Sequence, residues 1–299
     1  MKEKGILITG LSGFVGQNFK RYSGIERLYS FSLQDGNLET IRWDGIDTVL
    51  HIAGYAHHPE EKAPEKYYSV NMDYTKALAL MAKENGVEHF IFISTVKVYG
   101  EYNSGANVWQ EDSECYPADD YAKSKYLAEK ELLKMQSDNF IVSVIRPPLI
   151  YGYGVKGNLQ SLLQLIKKLP VIPLGRIKNN RCMVNVRNLI DLLINLINDP
   201  VPGIFLLTDT NGYSTSDIVR EMIEAAGARS KLVWIPFLGG LIRFLRPAMH
   251  QRLFRSIFVD DSRTRNMLNF KPKYTFADGV RDMLTTSTDR YELSDEKTE

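Results

Sequence analysis

Cysteine is nearly absent: Cys115 and Cys182 are the only two in 299 residues. Two cysteines so far apart make neither a disulfide framework nor a metal-ligand spacing. No metal is therefore expected, and the thiols read as reduced ones in a cytoplasmic protein. Net charge is nearly absent as well, at +1, which removes the electrostatic reason to expect nucleic acid. No apolar run is long enough to span a bilayer, and "MKEKGILITG" lacks the apolar stretch of a signal peptide. The nearest approach to a span, Leu232–Phe254, is interrupted by Pro236, Arg243, Arg246 and Pro247. A packed helix pair is expected there, with a membrane-surface face as the other reading. Internal repeats and low-complexity tracts are missing, and only a polar tail after Thr285 is expected to fray.

What is present is ordinary globular composition, 44% hydrophobic and 24% charged, with length for one large domain or two interleaved ones. Short apolar runs alternate with helical patterns in the first half. "GILITG", "RLYSFSL", "DTVLHIAG", "EHFIFIST" and "FIVSVIRPPLIYG" read as strands. "GFVGQNFKRY", "EKYYSVNMDYTKALALMAKENG" and "DDYAKSKYLAEKELLKMQ" read as helices. Continuous apolar strands separated by helices predict an α/β fold, a doubly wound parallel sheet with helices on both faces. After Gly152 the pattern loosens into "NLQSLLQLIKKLP", "VRNLIDLLINLINDP", "GIFLLTD" and "STSDIVREMIEAAG". We expect a dinucleotide-binding Rossmann-type domain over residues 1–155, with 183–212 returning to it. Residues 156–299 then form mainly a smaller α/β C-terminal substrate lobe.

The turn "ITGLSGFVG" puts Gly10, Gly13 and Gly16 after the first strand and at the opening of a helix. Gly10 permits the tight turn, Gly13 a close approach to a pyrophosphate, and Gly16 close helix–sheet packing. The free N–H groups of Phe14 and Val15 at the helix start would meet phosphates. This spacing is G-x-x-G-x-x-G rather than G-x-G-x-x-G. An acidic residue after the second strand would hold an adenosine ribose, and there only Asp35 arrives, late, with no arginine for a 2′-phosphate. The cofactor is therefore NAD or NADP.

Tyr-x-x-x-Lys occurs twice, as Tyr121/Lys125 and Tyr126/Lys130. With 16 tyrosines and 20 lysines in the chain, about one match arises by chance. Position separates them. Ligands of an open parallel sheet bind beyond the carboxyl ends of its strands, where "EHFIFIST" delivers Ser94 and Thr95. The next helix begins near Asp119–Asp120, so Tyr121 stands in its first turn with Lys125 on the same face. Tyr126 is rotated by roughly 140° and lies deeper, as a packing residue. An alcohol or a ketone needs a proton partner while hydride moves to or from nicotinamide. A nearby Lys⁺ is expected to lower the tyrosine's pKa from about 10, and Thr95 to orient the reacting oxygen.

The set T-G-x-x-G-F-x-G, "HIAG", "ISTVKVYG", "YAKSK" and "RPPLIYG" resembles, in order and spacing, the extended short-chain dehydrogenase/reductase superfamily of nucleotide-sugar enzymes. The resemblance covers nearly the whole chain. It implies Thr95, Tyr121 and Lys125 as the catalytic group, Lys125 also meeting the nicotinamide ribose. Ala53 and Gly54 would line the cofactor path and Pro148 would pass near the nicotinamide, with Asn71 as structural support. Asn158, Arg181 and Arg263 fall where the family holds a nucleotide-sugar diphosphate, and an arginine fork suits that group. His57 and His58 lie in a loop near the expected sugar position, as loop residues. A UDP-sugar is the implied partner, and a homodimer through the helices beside the fourth and fifth strands is common in the family.

Dehydratases of that family carry Thr-Asp-Glu where this chain has Ser94-Thr95-Val96, so dehydration is disfavoured. Lys97 stands where many epimerases have a small or polar residue. The segments around Lys97, Asn158, Arg181 and Arg263 look like the branch that reduces 4-keto-6-deoxy-N-acetylhexosamine nucleotides for bacterial surface polysaccharides. A UDP-hexose or UDP-N-acetylhexosamine 4-epimerase with recycled NAD is the alternative. A dinucleotide-sensing protein without catalysis is the reading from another class, and the presence of Thr95, Tyr121 and Lys125 speaks against it.

Overall fold

A computed structural model describes residues 4–33, 36–55, 63–103, 107–209 and 212–295, with side chains up to residue 285. The chain opens with β1 (Ile6–Thr9), α1 (Phe14–Tyr22), β2 (Leu28–Phe31) and β3 (Thr48–His51). One helical run follows: α2 (Glu65–Tyr68), a π-helical turn at Ser69–Asp73, and α3 (Tyr74–Glu84). Asn85 caps it and Gly86, at φ +77°, turns the chain away. Next come β4 (His89–Ile93), α4 (Asp120–Met135) and β5 (Ile141–Arg146). β5 stops directly before Pro147, which has no N–H to give a ladder.

The second half holds β6 (Leu149–Tyr151), α5 (Asn158–Lys168), β7 (Val171–Ile172), β8 (Met183–Asn185), α6 (Val186–Asn198) and β9 (Gly203–Leu206). It continues through α7 (Thr215–Ala225), β10 (Lys231–Leu232), α8 (Leu238–Leu245), α9 (Pro247–Phe254), α10 (Ser262–Met267) and α11 (Phe276–Asp295). α7 starts where "STSD" says it should, with a reciprocal cap between Ser214 and Asp217. The tail after Thr285, expected to fray, instead continues α11 as far as Asp295.

Six strands form a parallel sheet in the order β2-β1-β3-β4-β5-β9, so a segment from the second half completes its edge. β2 lies on one side of β1 and β3 on the other, which opens the crevice at the carboxyl ends where such sheets take ligands. Register aligns those ends: Thr9 pairs with Phe31 and His51, His51 with Phe92, and Ile93 with Ile145. Both faces are covered. Ile6, Ile8 and Leu50 pack with Phe19 of α1 and the apolar face of α6, while Leu7, Val49 and Phe90 pack with α3 and α4. A separate cluster, including Leu163, Val219, Phe276 and Val280, builds the C-terminal portion from α5, α7 and α11. Two small parallel pairs, β6 with β8 and β7 with β10, accompany it.

Several polar groups inside this core are paired. Arg146 at the end of β5 donates Nε to both carboxylate oxygens of Glu129 at 3.1 and 3.2 Å, and both side chains are buried. This pair fixes α4 against the sheet. Two buried histidines are each wired to hydroxyls: His51 to Thr9 and Thr75, and His89 to Ser143. Burial lowers both to about 3, below the ordinary 6.5, so the fold holds them neutral. The stability they supply is complete above pH about 6.5 and declines as pH falls towards 3, because the unfolded chain binds those protons first. Urea unfolding should therefore show a loss of up to ~2 kcal/mol per histidine between pH 6.5 and 5. A His89→Phe variant should show a shallower loss; an unchanged slope would contradict this account.

Candidate active site

The glycine turn is shaped by close backbone approach. Gly10 has φ +78°, and a Cβ there would stand 2.7 Å from the Ala53 amide nitrogen. A Cβ on Gly16 would stand 2.3 Å from the Gly10 carbonyl oxygen, so both glycines are required by the fold itself. Gly13 differs: its nearest neighbour to such a Cβ is the Gly10 oxygen at 3.2 Å. Gly13 caps α1 without a side-chain hydrogen bond, and the first turn holds no acid. The opening amides, including those of Phe14 and Val15, keep the positive helix end uncompensated. That cradle fits the pyrophosphate of a dinucleotide. Asp35, expected at the adenosine ribose, lies outside the described residues, as do His57 and His58.

Ala53 and Gly54 follow β3 on the other side of the crevice. Asn71 sits in the π-helical turn, completely buried. Its Oδ1 accepts from the Tyr55 amide at 2.7 Å, and its Nδ2 donates to the Tyr55 carbonyl and to Ser124 Oγ at 3.1 and 3.0 Å. The expected support of a strand is thus a clamp between the loop beyond β3 and helix α4. A Cβ on Gly54 would meet Lys125 Nζ at 3.0 Å, which places the lysine directly behind that loop. Pro148 is buried beyond β5, and the neighbouring Pro147 carbonyl accepts from the Val96 amide at 3.1 Å.

Asp119 caps α4 by accepting from the Ala122 amide at 2.8 Å, and so sets Tyr121 in the first turn. Thr95 caps the short 3₁₀ turn Val96–Val98 and hydrogen-bonds the Tyr121 side chain. Ser94 Oγ is buried and meets no partner among the described residues. Lys125, also buried, donates Nζ to the Ile93 carbonyl at 2.9 Å. The structure therefore gathers Thr95, Tyr121 and Lys125 at the end of β4. Tyr126 packs, partly buried, against a cluster around Trp109, with the Lys130 ammonium 5.8 Å from its ring centroid.

The electrostatics correct the expectation for Tyr121. Burial pushes its hydroxyl up to about 12, the Asp119 carboxylate adds to the rise, and the Thr95 hydrogen bond opposes it. Burial lowers Lys125 to about 7, against the pull of Glu129. A lysine removed from water holds its own charge weakly, so burial of the phenol outweighs it. Sequence reasoning also missed what stands beside the tyrosine. Lys97 forms an ion pair with Asp119, and its ammonium lies 5.8 Å from the Tyr121 ring centroid. Tyr68 donates to Asp120 at 2.9 Å, and Tyr67 meets Tyr121 edge-on. "STVK" before "ADDY" carried the signal only as unpaired charges.

The substrate candidates are more dispersed. Asn158 is the exposed first residue of α5. Arg181 donates Nη1 to the carbonyls of Arg252 and Arg255, at 2.9 and 3.4 Å, around the end of α9. Arg263 is exposed on α10 and lies 3.9 Å from Asp112. No hydrogen bond or ion pair among the described residues joins these three to one another.

The profile of the NAD dependent epimerase/dehydratase family matches residues 6–207. The chain belongs to this family. A UDP-glucose 4-epimerase of Vibrio cholerae is 33% identical over 93% of this chain and 94% of that protein. A GDP-6-deoxy-D-mannose reductase of Pseudomonas aeruginosa is 23% identical over 94% of this chain and 96% of that one. Among solved structures, RMD from Pseudomonas aeruginosa complexed with NADPH has a TM-score of 0.76 at 20% identity, covering 96% of this chain and 98% of that one. This is a nucleotide-sugar epimerase/reductase family using NAD(P), and the cofactor expectation agrees with it. Among the described residues no cluster of metal-ligating side chains occurs, and no helix is long and apolar enough to cross a membrane.

Two substitutions test the geometry. Gly13→Ala should still fold, because its Cβ asks only the Gly10 carbonyl to give by about a few tenths of an ångström, yet weaken NAD(H) binding about tenfold or more, read by fluorescence titration with circular dichroism as the check on folding. Unchanged affinity would remove Gly13 from the phosphate cradle. Asp119→Asn keeps a helix cap and removes a charge, so Tyr121 should ionise at lower pH. Absorbance titration against a Tyr121→Phe control measures this, and an unmoved transition would refute it.

Proposed function

We propose that the protein reduces the 4-keto group of a UDP-linked 4-keto-6-deoxy-N-acetylhexosamine, in the synthesis of a bacterial surface polysaccharide. The observation that carries this reading is the gathering of Thr95, Tyr121 and Lys125 at the end of β4, with burial pushing the Tyr121 hydroxyl up to about 12. A phenol that carries its proton can give it to a ketone oxygen as hydride arrives at the carbon. Bound nicotinamide would supply the hydride to C4. Tyr121 would donate its proton to the C4 oxygen and recover it from water, while Thr95 orients that oxygen. Gly10, Gly13, Phe14, Val15, Gly16, Ala53, Gly54, Lys125 and Pro148, with Asp35 at the ribose, would hold the cofactor. Asn158, Arg181 and Arg263 would meet the UDP diphosphate. In this reading residues 1–155 with 183–212 serve the cofactor and 156–299 mainly the sugar nucleotide. A homodimer through α3 and α4 is part of it, supported by exposed Leu80, Leu127 and Leu133 on those helices.

A second reading, UDP-hexose 4-epimerase with recycled NAD, is favoured by the Vibrio cholerae relative's name and its match along nearly the whole chain. The two separate by cofactor demand. A reductase consumes NADPH or NADH in step with a UDP-4-keto-sugar, whereas an epimerase interconverts UDP-hexoses with no cofactor added. Tyr121→Phe should lower turnover about a hundredfold or more while cofactor affinity survives. Full activity in that variant would sink both enzymatic readings.

A further inference from the structure

The helical hairpin α8–α9 has no buried residue in either helix. Phe254 lies across Gly239, where a Cβ would be 3.1 Å from its ring, and His250 stacks on Phe254 with centroids 4.6 Å apart. Leu253 and Phe254 fasten this inner side to the C-terminal core. The outer side is apolar and bare: Trp234 is 52% exposed, Phe237 93%, Phe244 85% and Leu245 63%. Leu241 and Met249 join them. Helices of eight residues are marginal alone, and a contiguous apolar face of this kind marks an interaction site.

Phe237 sharpens the point. Its backbone is left-handed, at φ +64°, a region costly for a bulky side chain. The chain holds a phenylalanine in that conformation at the head of α8 and buries almost none of it. Strain without burial within the chain directs attention to something outside it.

Charge identifies the partner. No Asp or Glu occurs between Glu224 and Asp260, while Arg229, Lys231, Arg243, Arg246, Arg252 and Arg255 all fall there. The whole chain carries only +1, so this segment holds a strong local excess. The four hairpin arginines are exposed, and none pairs with a carboxylate among the described residues. A second copy of the same face would set cations against cations, which disfavours self-association here. An anionic lipid surface satisfies both demands, taking the aromatic and aliphatic tips into its interface and the guanidinium groups at its headgroups.

We propose that α8–α9, with Trp234 and Phe237, docks the protein on anionic phospholipid. The hairpin is joined to the substrate side of the molecule. Arg181 bonds the carbonyls of Arg252 and Arg255, and Asn179 bonds those of Leu253 and Arg255. Docking would therefore hold the segment around Asn179–Arg181 close to the bilayer surface.

Co-sedimentation of the full chain with phosphatidylcholine vesicles, with and without phosphatidylglycerol, tests this. Binding should need the anionic lipid and weaken as salt rises. The variants Phe237→Ser with Phe244→Ser, and Arg243→Glu with Arg246→Glu, should each weaken it about tenfold or more. Circular dichroism should confirm an unchanged fold, because every altered side chain is exposed. Wild-type protein staying in the supernatant, or the serine variant binding as well as wild type, would overturn the proposal. A change of oligomeric state in the serine variant, read by sedimentation velocity, would assign the face to a second copy instead and overturn it equally. None of these outcomes depends on which sugar reaction the site performs.

Discussion

A relay through one neutral histidine holds the two sides of the crevice together. Thr75 Oγ1 donates to the Asn71 carbonyl, so it accepts from His51 Nε2. That leaves His51 Nδ1 as the acceptor for the Thr9 hydroxyl, which itself receives the Ala53 amide at 3.3 Å. Strand β1, the loop beyond β3 and the π-helical turn are thereby tied by one directional chain. Each hydroxyl has one proton to give, so the chain works in one polarity and only with the imidazole uncharged. The next link is Asn71, which carries the constraint to Tyr55 and, through Ser124, to α4. The π-helical turn is what lets a residue in the middle of a helix present both its amide groups this way. Glycine cradle and tyrosine are thus positioned by the same polar network, not by two independent folding decisions.

Burial then decides the ionisation states at the crevice. Tyr121 and Lys125 both lose water, and both move towards their neutral forms, one up to about 12 and the other down to about 7. The Asp119 carboxylate pushes the phenol in the same direction as burial. Lys97 pairs with that carboxylate and so moderates its reach towards the phenol. The cap of α4 and the ionisation of Tyr121 consequently share a residue. A helix start that any capping rule would place has become part of the electrostatic setting of the reaction.

Much of this was legible beforehand, for identifiable reasons. The central strands are continuous apolar runs, α4, α6 and α7 open on side-chain caps of the usual chemistry, and the glycine turn has a steric need at Gly10 and Gly16 that no other residue meets. Tyr121 could be separated from Tyr126 because position in a helix is set by its start, and Asp119 marks that start. The π-helical turn in "YSVNMDY" was not legible, since it leaves the helical pattern intact. Neither was the direction of the tyrosine's shift, which depends on how deeply a pair is buried rather than on which residues form it. Arg181 was read as a phosphate ligand from its place in the chain. Its contacts with the end of α9 are made with backbone carbonyls, which a sequence pattern does not display.

The segment Leu232–Phe254 shows where composition misleads most. Its apolar content and its two prolines describe a packed helix pair equally well as a surface one, because hydropathy reports what a side chain prefers and not what covers it. Two features break the tie. Packed helices bury a stripe of residues at helical spacing, whereas α8 and α9 bury no residue fully and only Leu253 and Phe254 of α9 pack partly against the C-terminal core. Packed segments of a near-neutral protein also balance their cations locally, whereas this one runs from Glu224 to Asp260 without a carboxylate. The apolar surface and the uncompensated charge are independent properties of one stretch, and a single partner, apolar within and anionic at its boundary, answers both.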